Sequence, residues 1–218
     1  MPLKSSETAV VADHFDDYHQ QADACLFGMW AFLMSEVMFF GGVFATYLVY
    51  RRSYPDAFAA ASRELDVYWG TINTFVLLTS SLTMAMAVRA SKLHRRWQAA
   101  WAIVATMILG SVFLAIKFYE YAHKVHEGLA PLIGLPFHYE GSDAGAAQLF
   151  LGLYFGMTGL HALHMIIGIA LLAFLLWYVL AWPGRSALRV EIVGLYWHFV
   201  DLVWIFLFPL LYLIDRSQ

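Results

Sequence analysis

A single cysteine, Cys25, is all the thiol chemistry available to this chain. That number excludes an internal disulfide, a cysteine-rich zinc site, an iron–sulfur cluster and a two-cysteine copper site, and no C-x-x-C-H haem attachment occurs. Charge is scarce as well. Charged residues make up 13% of the chain, about half the share of an ordinary soluble domain. A net charge of −3 argues against a nucleic-acid partner. No internal repeat is evident. The first 25 residues hold Glu7, Asp13, Asp16, Asp17 and Asp23 against Lys4 alone. They lack the basic start and apolar run of a secretory signal, so they read as a polar tail.

What the chain has in abundance is apolar surface. Hydrophobic residues reach 61% of the 218, and aromatics 17%. So little polar surface cannot enclose a water-soluble core, and lipid is the expected solvent. Five apolar stretches, at about residues 26–50, 69–90, 98–121, 147–182 and 190–214, are long enough to cross roughly 30 Å of hydrocarbon. The expectation is an all-α integral membrane bundle: a tail over 1–25 and a five-helix domain over 26–214. The fourth stretch is long enough to tilt or project. Arg89, Lys92, Arg95, Arg96, Arg185, Arg189 and Lys4 fall on one side, against Arg51, Arg52 and Arg63 in the first loop. That bias places the N-terminus inside and the C-terminus outside, with an irregular external loop over 123–146.

The helix faces carry more detail. Gly28, Ala31, Ser35, Gly42 and Ala45 form a small-residue seam on the first helix, of the kind that lets backbones approach closely in lipid. Glu36 sits instead among Met29, Phe32, Leu33, Phe40, Val43 and Tyr47. A charge near mid-span costs about 2.5–3.5 kcal/mol on insertion scales. No basic residue lies between 26 and 50, and no other helix offers an obvious deep cation. Glu36 is therefore expected to be protonated, donating a hydrogen bond or facing lipid. It is either a proton-linked or partner-contacting acid, or a structural one.

On the fourth helix Tyr154, Met157, Thr158, His161, His164, Met165 and Gly168 share a face, with Gly152, Gly156 and Gly159 nearly opposite. Two special faces imply neighbours on both sides. The fifth helix carries Glu191, Gly194, His198, Asp201, Ile205, Phe208 and Tyr212 along one stripe, and His198 and Asp201 can orient one another. One haem between His161 or His164 and His198, or a metal held by His161, His164, His198 and Asp201, fits such spacing. An interhelical hydrogen-bond cluster of those four residues satisfies the same groups and is the expectation. Lys117 and Glu120, near the external end of the third helix, read as a structural pair, with snorkelling of Lys117 as the alternative. Asn73, Thr74, Thr79, Ser80, Ser81 and Thr83 make the second helix hydroxyl-rich, which reads as packing glue.

Four segments carry a family resemblance: S-E-V-M-F-F-G-G-V-F-A-T-Y at 35–47, I-N-T-F-V-L-L-T-S-S at 72–81, G-L-H-A-L-H-M-I-I-G at 159–168 and Y-W-H-F-V-D-L-V-W at 196–204. The chain resembles subunit III of cytochrome c oxidase, in the haem–copper oxidase superfamily. Glu120–Tyr121 also fits the family's pattern. The resemblance implies an accessory subunit of a respiratory terminal oxidase, in a bacterial inner membrane. Subunit I would be its main contact and subunit II a second partner. It implies no catalytic residue, redox centre, cofactor or metal site in this chain, the haems and copper lying in the partners. It implies support for assembly, stability and sustained proton uptake, and a bound phospholipid among the membrane lipids it touches. Glu36 matches the family's intramembrane acid, and His161, His164, His198 and Asp201 its polar cluster. Mitochondrial members have seven helices, of which this chain resembles the last five, as many bacterial members do. The two missing helices would wall a lipid-filled cleft.

Other readings compete. Similar subunits accompany quinol oxidases and nitric oxide reductases, although glutamate after Ser35 fits the cytochrome c branch. A stand-alone haem or metal protein would use the three histidines. A proton-coupled transporter would use Glu36, but such proteins often show repeats and broken helices.

Overall fold

In the computed structural model, residues 17–131, 139, 143–182 and 186–214 are described; Lys4, Glu7, Asp13, Asp16 and Arg185 lie outside them. The described residues contain six helices and no strand: α1 (Tyr18–Ser53), α2 (Pro55–Ser62), α3 (Val67–Lys92), α4 (Arg96–His126), α5 (Ala144–Ala181) and α6 (Ala187–Tyr212). All but α2 are long and apolar enough to cross a membrane. They follow the five stretches read from the sequence, each starting two to eight residues earlier. α1 begins eight residues before position 26, because Asp17 caps it by accepting the Gln20 amide at 2.7 Å. At about 1.5 Å per residue the 38 residues of α5 far exceed the hydrocarbon thickness.

Side-chain caps also fix the starts of α3 and α5: Asp66 accepts from Tyr68 N at 2.9 Å and Asp143 from Ala146 N at 3.0 Å. α1 stops at Tyr54, whose φ of −132° and ψ of 60° take it out of the helical region that a following proline disfavours. That proline opens α2, the element not foreseen from sequence. α2 lies against α5 through Phe58, whose ring centroid is 5.3 Å from Phe150.

α6 is the hub. Half of its most apolar stretch is buried within the chain, against 17% for α1. Glycines on its neighbours explain how it fits. A Cβ on Gly110 of α4 would stand 2.7 Å from Trp197 Cη2, and one on Gly168 of α5 would stand 2.9 Å from Cζ3 of the same ring. Trp197 of α6 thus fills a notch cut in two helices, and its indole N–H donates to Ser80 Oγ of α3 at 3.1 Å. Gly70 of α3 makes similar room for Phe208 and Tyr212. α1 is a peripheral addition to this four-helix core. It is tied to α6 by the Tyr47 hydroxyl, which donates to the Leu210 carbonyl at 2.6 Å, one of the four terminal carbonyls a helix leaves unpaired.

The notch predicts the cost of filling it. Gly110→Leu should lower the stability of the purified chain by about 1–3 kcal/mol or more, the usual penalty of overpacking, read as thermal unfolding in detergent. Unchanged unfolding would mean that Trp197 is not held where the packing places it.

Candidate functional site

Two groups of polar side chains lie inside the span. The first joins α4, α5 and α6 towards the end of the bundle that holds the C-terminus. Lys117 and Glu120 are 3% and 6% exposed, too deep for snorkelling. The ammonium donates to Glu120 Oε2 at 2.9 Å, to the Tyr154 hydroxyl at 3.0 Å and to the Tyr212 hydroxyl at 2.8 Å. An ammonium has three hydrogens, and all three are used. Both tyrosines then donate to Glu120 Oε1, each at 2.7 Å. Rings of Tyr121, Tyr154, Trp204 and Tyr212 stand 5.0–5.4 Å from the ammonium, a cation–π cage. The ion pair was legible in the sequence; its closure by the two tyrosine hydroxyls was not.

The second group joins α1 to α5. Glu36 Oε2 lies 3.2 Å from His164 Nε2, with both side chains mostly buried. The expectation of a carboxyl without a basic neighbour is thereby corrected: the neighbour is an imidazole from α5. His164 Nδ1 is 2.8 Å from the Leu160 carbonyl. A carbonyl only accepts, so Nδ1 carries a hydrogen. The contact between Nε2 and Oε2 then holds one proton. Either the carboxyl donates to a neutral ring, or an imidazolium donates to a carboxylate. Both forms are neutral as a pair, which is what a low-dielectric site tolerates. Phe40 packs on the His164 ring at 5.2 Å, and the Tyr196 hydroxyl donates to the His164 carbonyl at 3.0 Å.

The four-residue cluster expected from the sequence is not assembled as such. His164 turns to α1. His161 packs at a tilt against Trp204 at 5.3 Å and edge-on against Phe113 at 5.4 Å, and neither of its ring nitrogens has a hydrogen-bond partner. His198 Nδ1 pairs with Ser81 Oγ at 2.7 Å. Asp201 is buried without a well-aligned hydrogen bond to either carboxyl oxygen, and its polar neighbour is Ser81, the hydroxyl that His198 also reaches. Residues three apart on a helix point in similar but not identical directions, and here the difference sends His161 and His164 to different neighbours. No group of three or more His, Cys, Asp or Glu able to hold a metal occurs among the described residues. The hydroxyls of α3 serve packing as expected: Thr74 accepts from the Trp204 indole at 3.1 Å and Thr83 pairs with Thr106 at 2.8 Å.

The small residues do not serve this chain's own packing. Gly28, Ala31, Ser35, Gly42 and Ala45 are exposed, and a Cβ on Gly28 or Gly42 would meet nothing within 4 Å. Gly156 of α5 is equally open, so the second face of α5 has no full cover from this chain.

Fold and site together define a class: a polytopic helical membrane protein with a buried ion pair closed by tyrosines, a carboxyl–imidazole contact between α1 and α5, and small-residue faces turned outward. The family model for cytochrome c oxidase subunit III matches residues 6–215. The chain is 33% identical to cytochrome c oxidase subunit 3 of Thermostichus vulcanus over 98% of each chain. It is 32% identical to a probable quinol oxidase subunit 3 of Staphylococcus saprophyticus over 93% of this chain and 95% of that one. It also matches a haem–copper oxidase subunit I+III of Aeropyrum pernix, 31% identical over 85% of this chain and 22% of that one. The chain belongs to the cytochrome c oxidase subunit III family, a family of haem–copper oxidase complexes.

The proton shared by Glu36 and His164 can be located by substitution. If the ring is neutral, Glu36→Gln keeps a donor to Nε2 and should melt close to the parent. Glu36→Leu and His164→Ala each leave a buried partner unpaired and should lose about 1–3 kcal/mol, measured by thermal unfolding in detergent. Equal losses in Gln and Leu variants would mean an ionised pair.

Proposed function

We propose that this chain is the accessory, non-catalytic subunit III of a bacterial cytochrome c oxidase. Its role is to support assembly, stability and sustained proton uptake of the catalytic subunit I. The observation that carries the reading is the division of α1 into two faces. One face, with Glu36, Phe40 and Tyr47, is held by α5 and α6. The other, with Gly28, Ser35 and Gly42, is exposed among the described residues and suits close approach of another helix. The Aeropyrum pernix relative, named as subunits I and III together, supports subunit I as the neighbour, with subunit II as a second partner. The haems and copper belong to those partners.

The orientation follows from charge. The end of the bundle holding the α1 N-terminus carries Arg89, Lys92, Arg95, Arg96 and Arg189; the other end carries Arg51, Arg52 and Arg63. The positive-inside bias supports an N-terminus in the cytoplasm, a C-terminus outside and placement in the inner membrane. A quinol oxidase is the second reading, favoured by a relative at 32% identity beside one at 33% named for cytochrome c. The host's subunit II decides between the two donors.

Affinity purification of the tagged chain in mild detergent, followed by mass spectrometry and optical spectra, tests this. Subunit I and its haems should co-purify, and Gly42→Leu should lower their recovery several-fold. A chain that purifies without subunit I and shows its own Soret band overturns the reading. Full recovery with Gly42→Leu removes α1 as the docking face.

A further inference from the structure

The turn between α3 and α4 is strongly basic, with Arg89, Lys92, Arg95 and Arg96 in sequence and no acid among them. Two of the four are occupied: Lys92 pairs with Glu191 at 2.8 Å, and Arg96 stacks over Trp97 at 5.4 Å. Arg89 and Arg95 have no carboxylate partner among the described residues, and Arg95 makes only a long 3.4 Å bond to Gln98. Both stand on a groove of about 600 Å³ between the two helices.

Beyond the two arginines and Gln98 the groove is mainly apolar, lined by Met86 and Ala90 of α3 and by Trp101, Ala102 and Ala105 of α4. Thr83, at its far end, has its hydroxyl engaged with the Ser80 carbonyl and Thr106. From Arg95 to Ala105 the helix advances about 15 Å at its usual rise, which is half of the roughly 30 Å hydrocarbon core. The groove is therefore one leaflet deep, cationic at the surface end and apolar below. α5 and α6 stand between it and α1, so a partner docked on α1 leaves it facing lipid.

We propose that the α3–α4 groove binds one anionic glycerophospholipid, its phosphate held by Arg89 and Arg95 and one acyl chain lying along Met86, Trp101 and Ala105. Guanidinium groups suit phosphate oxygens in geometry as well as charge. A zwitterionic lipid has the same chains but not the net charge that two unpaired arginines answer. The inference rests on the membrane span and survives failure of the subunit reading.

The test is native mass spectrometry of the full chain in its complex, after exchange against equal amounts of phosphatidylglycerol and phosphatidylcholine. One phosphatidylglycerol should be retained selectively. Arg89→Gln with Arg95→Gln should weaken its binding by about thirtyfold, the combined effect of two membrane-surface cations. Arg51→Gln with Arg52→Gln, at the other end of the bundle, should not. Ala105→Phe, which fills the groove and spares both arginines, should also lose the lipid. Equal retention in parent and arginine variants overturns the proposal. So does displacement by millimolar inorganic phosphate, which would mean an anion site without an acyl chain. Capture of a protein by a photo-crosslinker at position 101 overturns it as well, since a partner subunit would then fill the groove.

Discussion

Lipid offers no hydrogen bonds, and the rest of this fold depends on how one buried cation meets that constraint. Lys117 carries a charge that costs several kcal/mol to place in hydrocarbon. The chain answers with as many acceptors as the ammonium has hydrogens. The two tyrosine hydroxyls accept from the cation and donate to Glu120, so neither is left half-satisfied. Because Lys117 and Glu120 come from α4, Tyr154 from α5 and Tyr212 from α6, closing the network fixes those three helices at one end of the span. Breaking a buried pair from one side costs about 3–5 kcal/mol. Partial substitution is thus far worse for such a network than removal of the whole.

Further along the bundle the same three helices are held by shape. Trp197 enters a notch that only glycine leaves open in α4 and α5, and its one polar atom finds Ser80 on α3. Polar closure at one end and close packing at the middle give a rigid core. α1 is attached to that core by the Tyr47 hydroxyl and the proton shared between Glu36 and His164. Its inward face pairs its polar groups, and its outward face carries a seam of small residues interrupted by Met38. A subunit that joins a larger complex needs a surface against which another helix can lie, and the small residues of α1 offer one.

Much of this was legible in the residues. The five spans follow from length and hydropathy, because the membrane imposes both. The division of α1 was legible too, since its small and bulky positions separate at helical spacing. α2 was not, although Pro55 and Asp56 are start signals, because eight residues are too few for a period to emerge. The partner of Glu36 was hidden for a different reason. A single helix shows which residues share a face but not what that face meets, and His164 is 128 residues away. His161, His164, His198 and Asp201 looked like one group because their stripes coincide on paper. In the bundle, a small angular difference sends His164 to α1 and leaves His161 against Trp204. Tyr154 and Tyr212 stood on the polar faces read from the sequence, but that both reach Lys117 became visible only when three helices were brought together.

The central claim is that this chain supports an oxidase without taking part in its electron transfer. Oxygen consumption by the purified host complex, followed over many turnovers with the chain present and after its gene is deleted, tests that claim most directly. The account predicts the same initial rate per haem in both preparations and a shorter active lifetime without the chain. An immediate collapse of the initial rate in a complex that retains its haems and copper would contradict it.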